Sequence, residues 1–555
     1  MSVSARGAAS SASAPAAASG EPTHLGKAFG QPKPDTHPHL LQKHERISRD
    51  EYAVRRLQLA KAIGPQAAAV VPGYGLRYAT GGIFYPFHQS TNLLYLTGFN
   101  EPDCGCIIES ATKDPSEHRF LMFVQPADRR TEIWDGPRAG IEGARTHFGA
   151  TAAYPIEAFE DALRQLNASA ATRRLYSDLP LTQRSAGSAS RSLSGSADSA
   201  SGSTPSLLEN THIKVSSSSA THVDKDASVS KMLLGRAELH GRADPFFELA
   251  AAQPSSSSAA PGRTFSNPWT TGRDTAQGTT VKPLASLIDM LRLYKSPAEI
   301  QVMRQAGRIT GRAFVEAMRA TKPGTTEHQL SAVLEFHLRM QGADGFAYVP
   351  VVAGGRNALT LHYVQNKQML RDGDLVLVDA GGEYGHYASD VTRTWPVNGK
   401  FTAAQKKLYE SVLRVQKHII KQCTEAARTT LDQLQYETAG MLQEEISALL
   451  GRPVSMGEMN ALYPHHVSHW LGMDVHDTGS VSRSTRLSEG MVVTIEPGLY
   501  IPDSPNYPPE FRGVGIRIED DVAVGGPSTH GAPVILSVDA PKEVVDIEAV
   551  MAGIV

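Results

Sequence analysis

Four carboxylates ride on apolar, strand-like stretches of this chain, and they form two pairs, each placed symmetrically about a turn. Leu375 to Asp379 reads as a buried strand, a Gly-rich loop follows at Gly381 to Gly385, and Ala388 to Thr392 returns as a second strand. Asp379 and Asp390 are equidistant from a reversal centred on Tyr384/Gly385, so a regular register puts them face to face with Cβ atoms roughly 5 Å apart. Val492 to Glu496 and Gly515 to Glu519 repeat the device about a Pro-rich turn centred on Tyr507/Pro508. A buried carboxylate is almost never left without a partner, and two facing each other repel. The pattern calls for positive charge between the strands, and a metal cradle supplies it.

The densest imidazole cluster, His465, His466, His469 and His476, lies between the two acid pairs. A zinc-protease helix needs Glu directly after the first His of an i, i+4 pair. His466 stands in that place, which excludes the motif. Four carboxylates with one imidazole from this cluster make an oxygen-rich donor set, suited to hard or borderline divalent ions such as manganese rather than to a thiolate-loving zinc site. Four negative ligands against two dications leave room for a bridging hydroxide. Two-metal sites of this kind hold their ions about 3.5 to 4 Å apart and clamp both the nucleophile and the polarised oxygen of a hydrolysis.

Six strings in order carry a family resemblance: Leu361-His362-Tyr363, Val378-Asp379-Ala380-Gly381, Ser389-Asp390-Val391-Thr392-Arg393-Thr394-Trp395, Ser468-His469-Trp470-Leu471-Gly472, Ile495-Glu496-Pro497-Gly498-Leu499-Tyr500 and Gly515-Ile516-Arg517-Ile518-Glu519-Asp520. They resemble the aminopeptidase P family densely over about residues 290 to 545. A fainter likeness covers residues 50 to 180, around Ser90 to Pro102. Val351 to Gly355 and Pro464 to Val467 look most like the family's mitochondrial branch. The resemblance implies an α/β N-terminal domain of the creatinase/aminopeptidase P type followed by an α+β pita-bread catalytic domain. It implies two divalent metal ions, manganese by preference, on Asp379, Asp390, His469, Glu496 and Glu519.

It also implies roles around the metals. His362 contacts substrate, His465 and His476 hydrogen-bond the substrate carbonyl or shuttle protons, Glu496 takes or relays the proton of the attacking water, and Tyr500 lines the proline-side pocket. Arg517, two residues before Glu519, orients ligands from behind, as Thr392 does for Asp390. Asp379 or a close neighbour holds the free N-terminal amine. Trp134 resembles a tryptophan that closes a neighbouring subunit's site, which goes with a homo-oligomer. The implied reaction removes one N-terminal residue from peptides or proteins, either ahead of proline or in trimming imported mitochondrial precursors. The competing readings are an inactive peptide-binding module and a prolidase-like dipeptidase.

At 555 residues the chain exceeds one ordinary domain. Residues 1–45 read as a tail; its first twenty residues hold fourteen Ser or Ala and one basic residue, Arg6, compatible with a transit peptide. Residues 46–182 read as the N-terminal domain and 183–272 as an insertion. Ten of the 22 residues from Ser185 to Ser206 are Ser, too polar to offset the entropy of ordering, so the expectation there is disorder. Residues 273–290 end the N-terminal domain and 291–555 form the catalytic domain. Its helices open with capping boxes at Ser296, Thr326 and Thr402, the first running to about Met318. The net charge of −3, with no basic block, excludes nucleic-acid and polybasic membrane partners. No apolar run reaches the roughly 18 residues of a bilayer span. Three cysteines are too few for a disulfide framework and point to a reducing compartment. The expected location is mitochondrial, with cytoplasm or nucleus as alternatives.

Overall fold

The computed structural model describes residues 47–168, 174–179 and 281–554. The tail to residue 45 and the whole of the expected insertion, residues 183–272, lie outside the described residues. Among those described, no helix is long and apolar enough to cross a membrane.

The N-terminal unit is a six-stranded mixed sheet, ordered Ala152–Pro155, Arg119–Val124, Gly105–Ser110, Ala67–Pro72, Arg174–Ser177, Val281–Lys282. Period-two alternation sorts its side chains. Ala67, Ala69, Val71, Ile108 and Met122 join the large core, while Ala68, Val70, Ile107, Leu121 and Phe123 pack on the other face beneath the helix Ala158–Ala168. The helix Arg49–Ile63 starts where the Ser48 hydroxyl caps it by accepting from the Glu51 amide. The first described residues beyond the insertion, Val281 and Lys282, pair with Leu175 and Tyr176. Asp178 then accepts from the amides of Leu284 and Ala285 at 2.8 and 2.9 Å. The chain therefore leaves and re-enters at one edge of one sheet.

In the catalytic unit the helices Pro297–Ala320, Glu327–Met340 and Ala403–Gln422 each start from a reciprocal Ser/Thr to Glu/Gln box. A fourth box, Thr430 with Gln433, opens Leu431–Leu450 and was not expected. Each cap is worth about 1 kcal/mol. Buried polar contacts join the two units. Arg55 lies 3.3 Å from Glu299, which also receives the Tyr387 hydroxyl at 2.7 Å. Arg292 donates to Thr91 and Asn92 of the N-terminal unit at 3.1 and 2.8 Å while also donating to Asp474 and Asp477 on its own side.

The two hairpins differ in how far the expected register holds. In the second, Gly498 pairs with Arg517 and Ile495 with Asp520, so Glu496 does oppose Glu519. In the first, Tyr384 pairs with Tyr387, which leaves a two-residue turn at Gly385–His386, not a centre at Tyr384/Gly385. Both turn residues have positive φ, 56° and 64°, as the right-handed strand twist requires of a type I′ turn. The ladder is thereby shifted: Asp379 pairs with Thr392, and Asp390 lies diagonally beyond Val391 rather than opposite Asp379. Asp390 also falls outside a strand, in the gap between Tyr387–Ala388 and Val391–Pro396. There the Ser389 carbonyl passes so close to Gly381 that a Cβ at Gly381 would sit 1.7 Å from it.

Candidate active site

Three of the four acids stand where a strand lapses. Asp390 follows Ala388–Ser389, Glu496 lies between Ile495 and Gly498, and Glu519 between Arg517 and Asp520. Their amides are not orphaned, as buried backbone groups must not be. The Glu496 amide donates to the Val467 carbonyl, that of Glu519 to the Thr392 carbonyl, and that of Asp390 to the Asp521 carboxylate. Freed from ladder geometry, the three side chains converge. His469 reaches them from a segment that runs beside Val492–Ile495, its amide 3.2 Å from Thr494 Oγ1 and its carbonyl accepting from the Thr494 amide.

Asp390, His469 and Glu519 each offer a ligand atom, and those atoms lie within 4.8 Å of one another. His469 Nε2 is 3.4 Å from Asp390 Oδ2 and 3.8 Å from Glu496 Oε1. Its Nδ1 is 3.1 Å from the Trp470 carbonyl, so that nitrogen carries the proton and Nε2 turns its lone pair inward, the arrangement of a metal-ligating histidine. Asp379 joins the group through Tyr348, whose hydroxyl lies 2.5 Å from an oxygen of both Asp379 and Asp390. One hydroxyl proton cannot satisfy two carboxylates. The other Asp379 oxygen accepts from Arg517 at 2.6 Å.

Electrostatics states the same need. Burial pushes Asp379 up, against the Arg517 charge and with the Asp390 charge. Burial, then the charges of Asp390, Glu496 and Asp379, drives Glu519 well above the usual carboxylate range. Glu496 is pushed up to about 8 by burial, with His469 and Arg517 opposing and Asp390 and Asp379 adding. Asp390 alone goes down, because the His469 beside it outweighs its burial. These carboxylates cannot all be ionised here without further positive charge. Divalent metal ions suit a donor set of four carboxylates and an imidazole.

The remaining expected residues lie around this cradle. His465 Nε2 is 2.9 Å from the Tyr500 hydroxyl, which in turn accepts from Arg517 at 2.8 Å. His465 Nδ1 is 3.7 Å from Glu496. Burial, then the Arg517 charge, lowers the His465 pKa to about 3. The exposed His476 ring stands edge-on to His469 with centroids 4.5 Å apart. His362 is also exposed, on a segment fixed by Glu327, which accepts from Tyr363 Oη, Asn357 and the amides of Gly354 and Gln368. Thr392 does not support Asp390: the shifted register turns its hydroxyl to Glu519, 2.6 Å away. Arg517 reaches Asp379 directly and Glu519 only through Thr392. Trp134 is 87% exposed beside Ile133. Sequence reasoning missed Tyr348 and Asp521. Asp521 follows Glu519-Asp520 in an acidic run that could have signalled it; Tyr348, in an irregular loop, has no such signal.

Two family models match the chain: "Metallopeptidase family M24" over residues 301–525 and "Aminopeptidase P, N-terminal domain" over residues 52–176. Xaa-Pro aminopeptidase 3 of Rattus norvegicus is 37% identical over 94% of this chain and 90% of its own length. Intermediate cleaving peptidase 55 of Saccharomyces cerevisiae is 34% identical over 94% of this chain and 88% of its own. The yeast peptidase's crystal structure covers 91% of this chain and 98% of its own at a TM-score of 0.70 and 32% identity. That of Pseudomonas aeruginosa aminopeptidase PepP covers 92% and 99% at 0.69 and 30%. Because the likeness runs through both units and through the segments that carry the acids, the fold is the aminopeptidase P N-terminal domain followed by the pita-bread catalytic domain, and the chain belongs to metallopeptidase family M24 as a metalloaminopeptidase of the Xaa-Pro aminopeptidase kind.

Proposed function

We propose that this chain is a dinuclear-metal aminopeptidase that removes a single N-terminal residue, either ahead of proline or from imported mitochondrial precursors. The observation that carries it is the convergence of Asp390, His469 and Glu519, with Asp379 and Glu496 at its edge, a buried acidic group that Arg517 compensates only in part. The bound ions, manganese by the donor set, supply an acidified water and a polarised carbonyl. Glu496 has one oxygen toward His469 and the other toward His465, where it can take the water's proton and pass it on. His465, held by Tyr500 and Arg517, steadies the tetrahedral intermediate with His476, and His362 contacts the substrate from the rim. Asp379 or a close neighbour holds the substrate's free amine, which limits removal to one residue.

A mitochondrial setting is supported by a relative from Arabidopsis thaliana whose name carries that location, 31% identical over 94% of this chain. Exposed Ile133 and Trp134 favour a homo-oligomer. The test compares protein N-termini in cells with the active enzyme and with its Asp390→Ala variant. Mitochondrial termini one residue longer should accumulate with the variant. Unchanged termini, or hydrolysis confined to dipeptides, would remove this reading.

A further inference from the structure

A second nest of metal-type donors lies where the N-terminal unit meets the tip of the Asp379–Asp390 hairpin. His88 comes from the N-terminal unit, and Glu383 and His386 from the hairpin. Each offers one ligand atom, and the three atoms lie within 4.8 Å of one another. Glu383 is nearly buried and stands between two imidazoles, with Oε2 2.8 Å from His88 Nε2 and Oε1 3.4 Å from His386 Nδ1.

The outer nitrogen of each ring is already engaged. His88 Nδ1 is 3.1 Å from the Gln89 carbonyl and so carries a proton, which leaves Nε2 as the inward donor. His386 Nε2 is 3.1 Å from the side-chain amide of Asn100. Two buried atoms here have no hydrogen-bond partner, His386 Nδ1 and Asn100 Oδ1. Turning the Asn100 amide over pairs its oxygen, moves its nitrogen to the unpaired place and frees His386 Nδ1 of its proton. With the Asn100 amide turned over, His386 Nε2–H donates to Asn100 Oδ1, and the Nδ1 lone pair faces Glu383 and His88. Asn amide orientation is fixed only by such hydrogen-bond arguments. Imidazoles whose outer nitrogen is held by an amide or carbonyl, and whose inner nitrogen converges on a shared carboxylate, have the surroundings of metal-bound histidines.

We infer that His88 Nε2, Glu383 and His386 Nδ1 form a third divalent-cation site, of the zinc class, which fastens the N-terminal unit to the catalytic hairpin. Two imidazoles and a carboxylate with a position left open are a zinc donor set, unlike the oxygen-rich cradle. The His88 side chain is 49% exposed and gives the ion a way in. The Glu383 carbonyl is itself fixed, accepting from the Asp344 amide at 2.8 Å. Four residues separate Glu383 from Asp379 and His386 from Asp390, roughly 13 Å of strand on each arm. An ion at the tip would tether the strands that present both acids.

The test measures zinc stoichiometry in the manganese-loaded, full-length enzyme by equilibrium dialysis and elemental analysis. Wild type is compared with His88→Ala and with His386→Asn, the latter chosen because Asn accepts the positive φ of the turn. Wild type should bind one zinc more per chain than either variant at micromolar free zinc, with manganese content equal in all three. Cobalt titration should give absorption bands of a low-coordinate site in wild type that both variants lack. Equal zinc stoichiometry in the three proteins would overturn the inference. So would variants that differ only in metal-free stability, the mark of a cluster held together by protons alone.

Discussion

Asp390 is the residue on which the cradle turns, because it meets His469, shares Tyr348 with Asp379, and has its own amide tied to Asp521. Asp390→Ala should therefore abolish nearly all hydrolysis and lower bound divalent metal below about two ions per chain, while the fold, read by circular dichroism, stays largely intact. Full-rate cleavage by a metal-free preparation would contradict this. His465 touches Glu496 only at 3.7 Å and is anchored through Tyr500, which fits the proposed role in the reaction rather than that of a metal ligand. His465→Ala should lower kcat by about 100-fold or more, the range of general acid–base groups, with metal content hardly changed. Parallel loss of metal and rate would make His465 a ligand. The four candidate carboxylates could be picked out in the sequence because acids on apolar strands are anomalous and need a partner, whereas only the family resemblance singles His469 out of its imidazole cluster. Tyr348 could not be picked out, since a lone aromatic in the loop from Ala347 to Pro350 looks like ordinary packing.

At the scale of elements, capping boxes and strand pairs could be read while register could not. The Glu496/Glu519 pairing followed from counting about the turn. The same counting failed at Asp379/Asp390 because His386, rather than Asn or Gly, holds the second positive-φ position of a type I′ turn and disguises where the chain reverses. That tip also sets a pH dependence. The hydrogen bond to Glu383 chiefly raises His88 from its ordinary 6.5 to about 9, burial opposing and the Glu383 and Asp474 charges adding. Glu383 is lowered from 4.5 to about 2: burial opposes, but His386 and His88 outweigh it. A raised histidine stabilises fully below 6.5 and loses that contribution as pH rises through 9; a lowered carboxylate stabilises above 4.5 and loses it as pH falls through 2. In chelator, the stability advantage of wild type over His88→Ala should be largest between about pH 4.5 and 6.5 and shrink toward pH 9. Denaturant midpoints at pH 5.5 and 9.5 measure it; an advantage that grows with pH would contradict the pairing.

For the whole molecule, the insertion is the part that composition describes and geometry brackets. Tyr176 and Lys282 are paired neighbours, so the segment between them leaves and returns at one place. Replacing residues 185–262 with a short Gly/Ser linker should cost little stability, since closure entropy changes only slowly with loop length, and cleavage of a short peptide with proline second should survive. Limited proteolysis should cut first in that segment and leave an active, nicked enzyme. Protection of the segment, or inactivation on nicking, would reveal a folded element in place of a linker. The shared edge has one more consequence. The polypeptide is continuous there by synthesis rather than by architecture, so two separately expressed halves, broken within the insertion, should find each other through the Leu175–Val281 pairing and the Arg55–Glu299 contact and reconstitute a working peptidase, a split enzyme whose two pieces become a reporter for whatever brings them together.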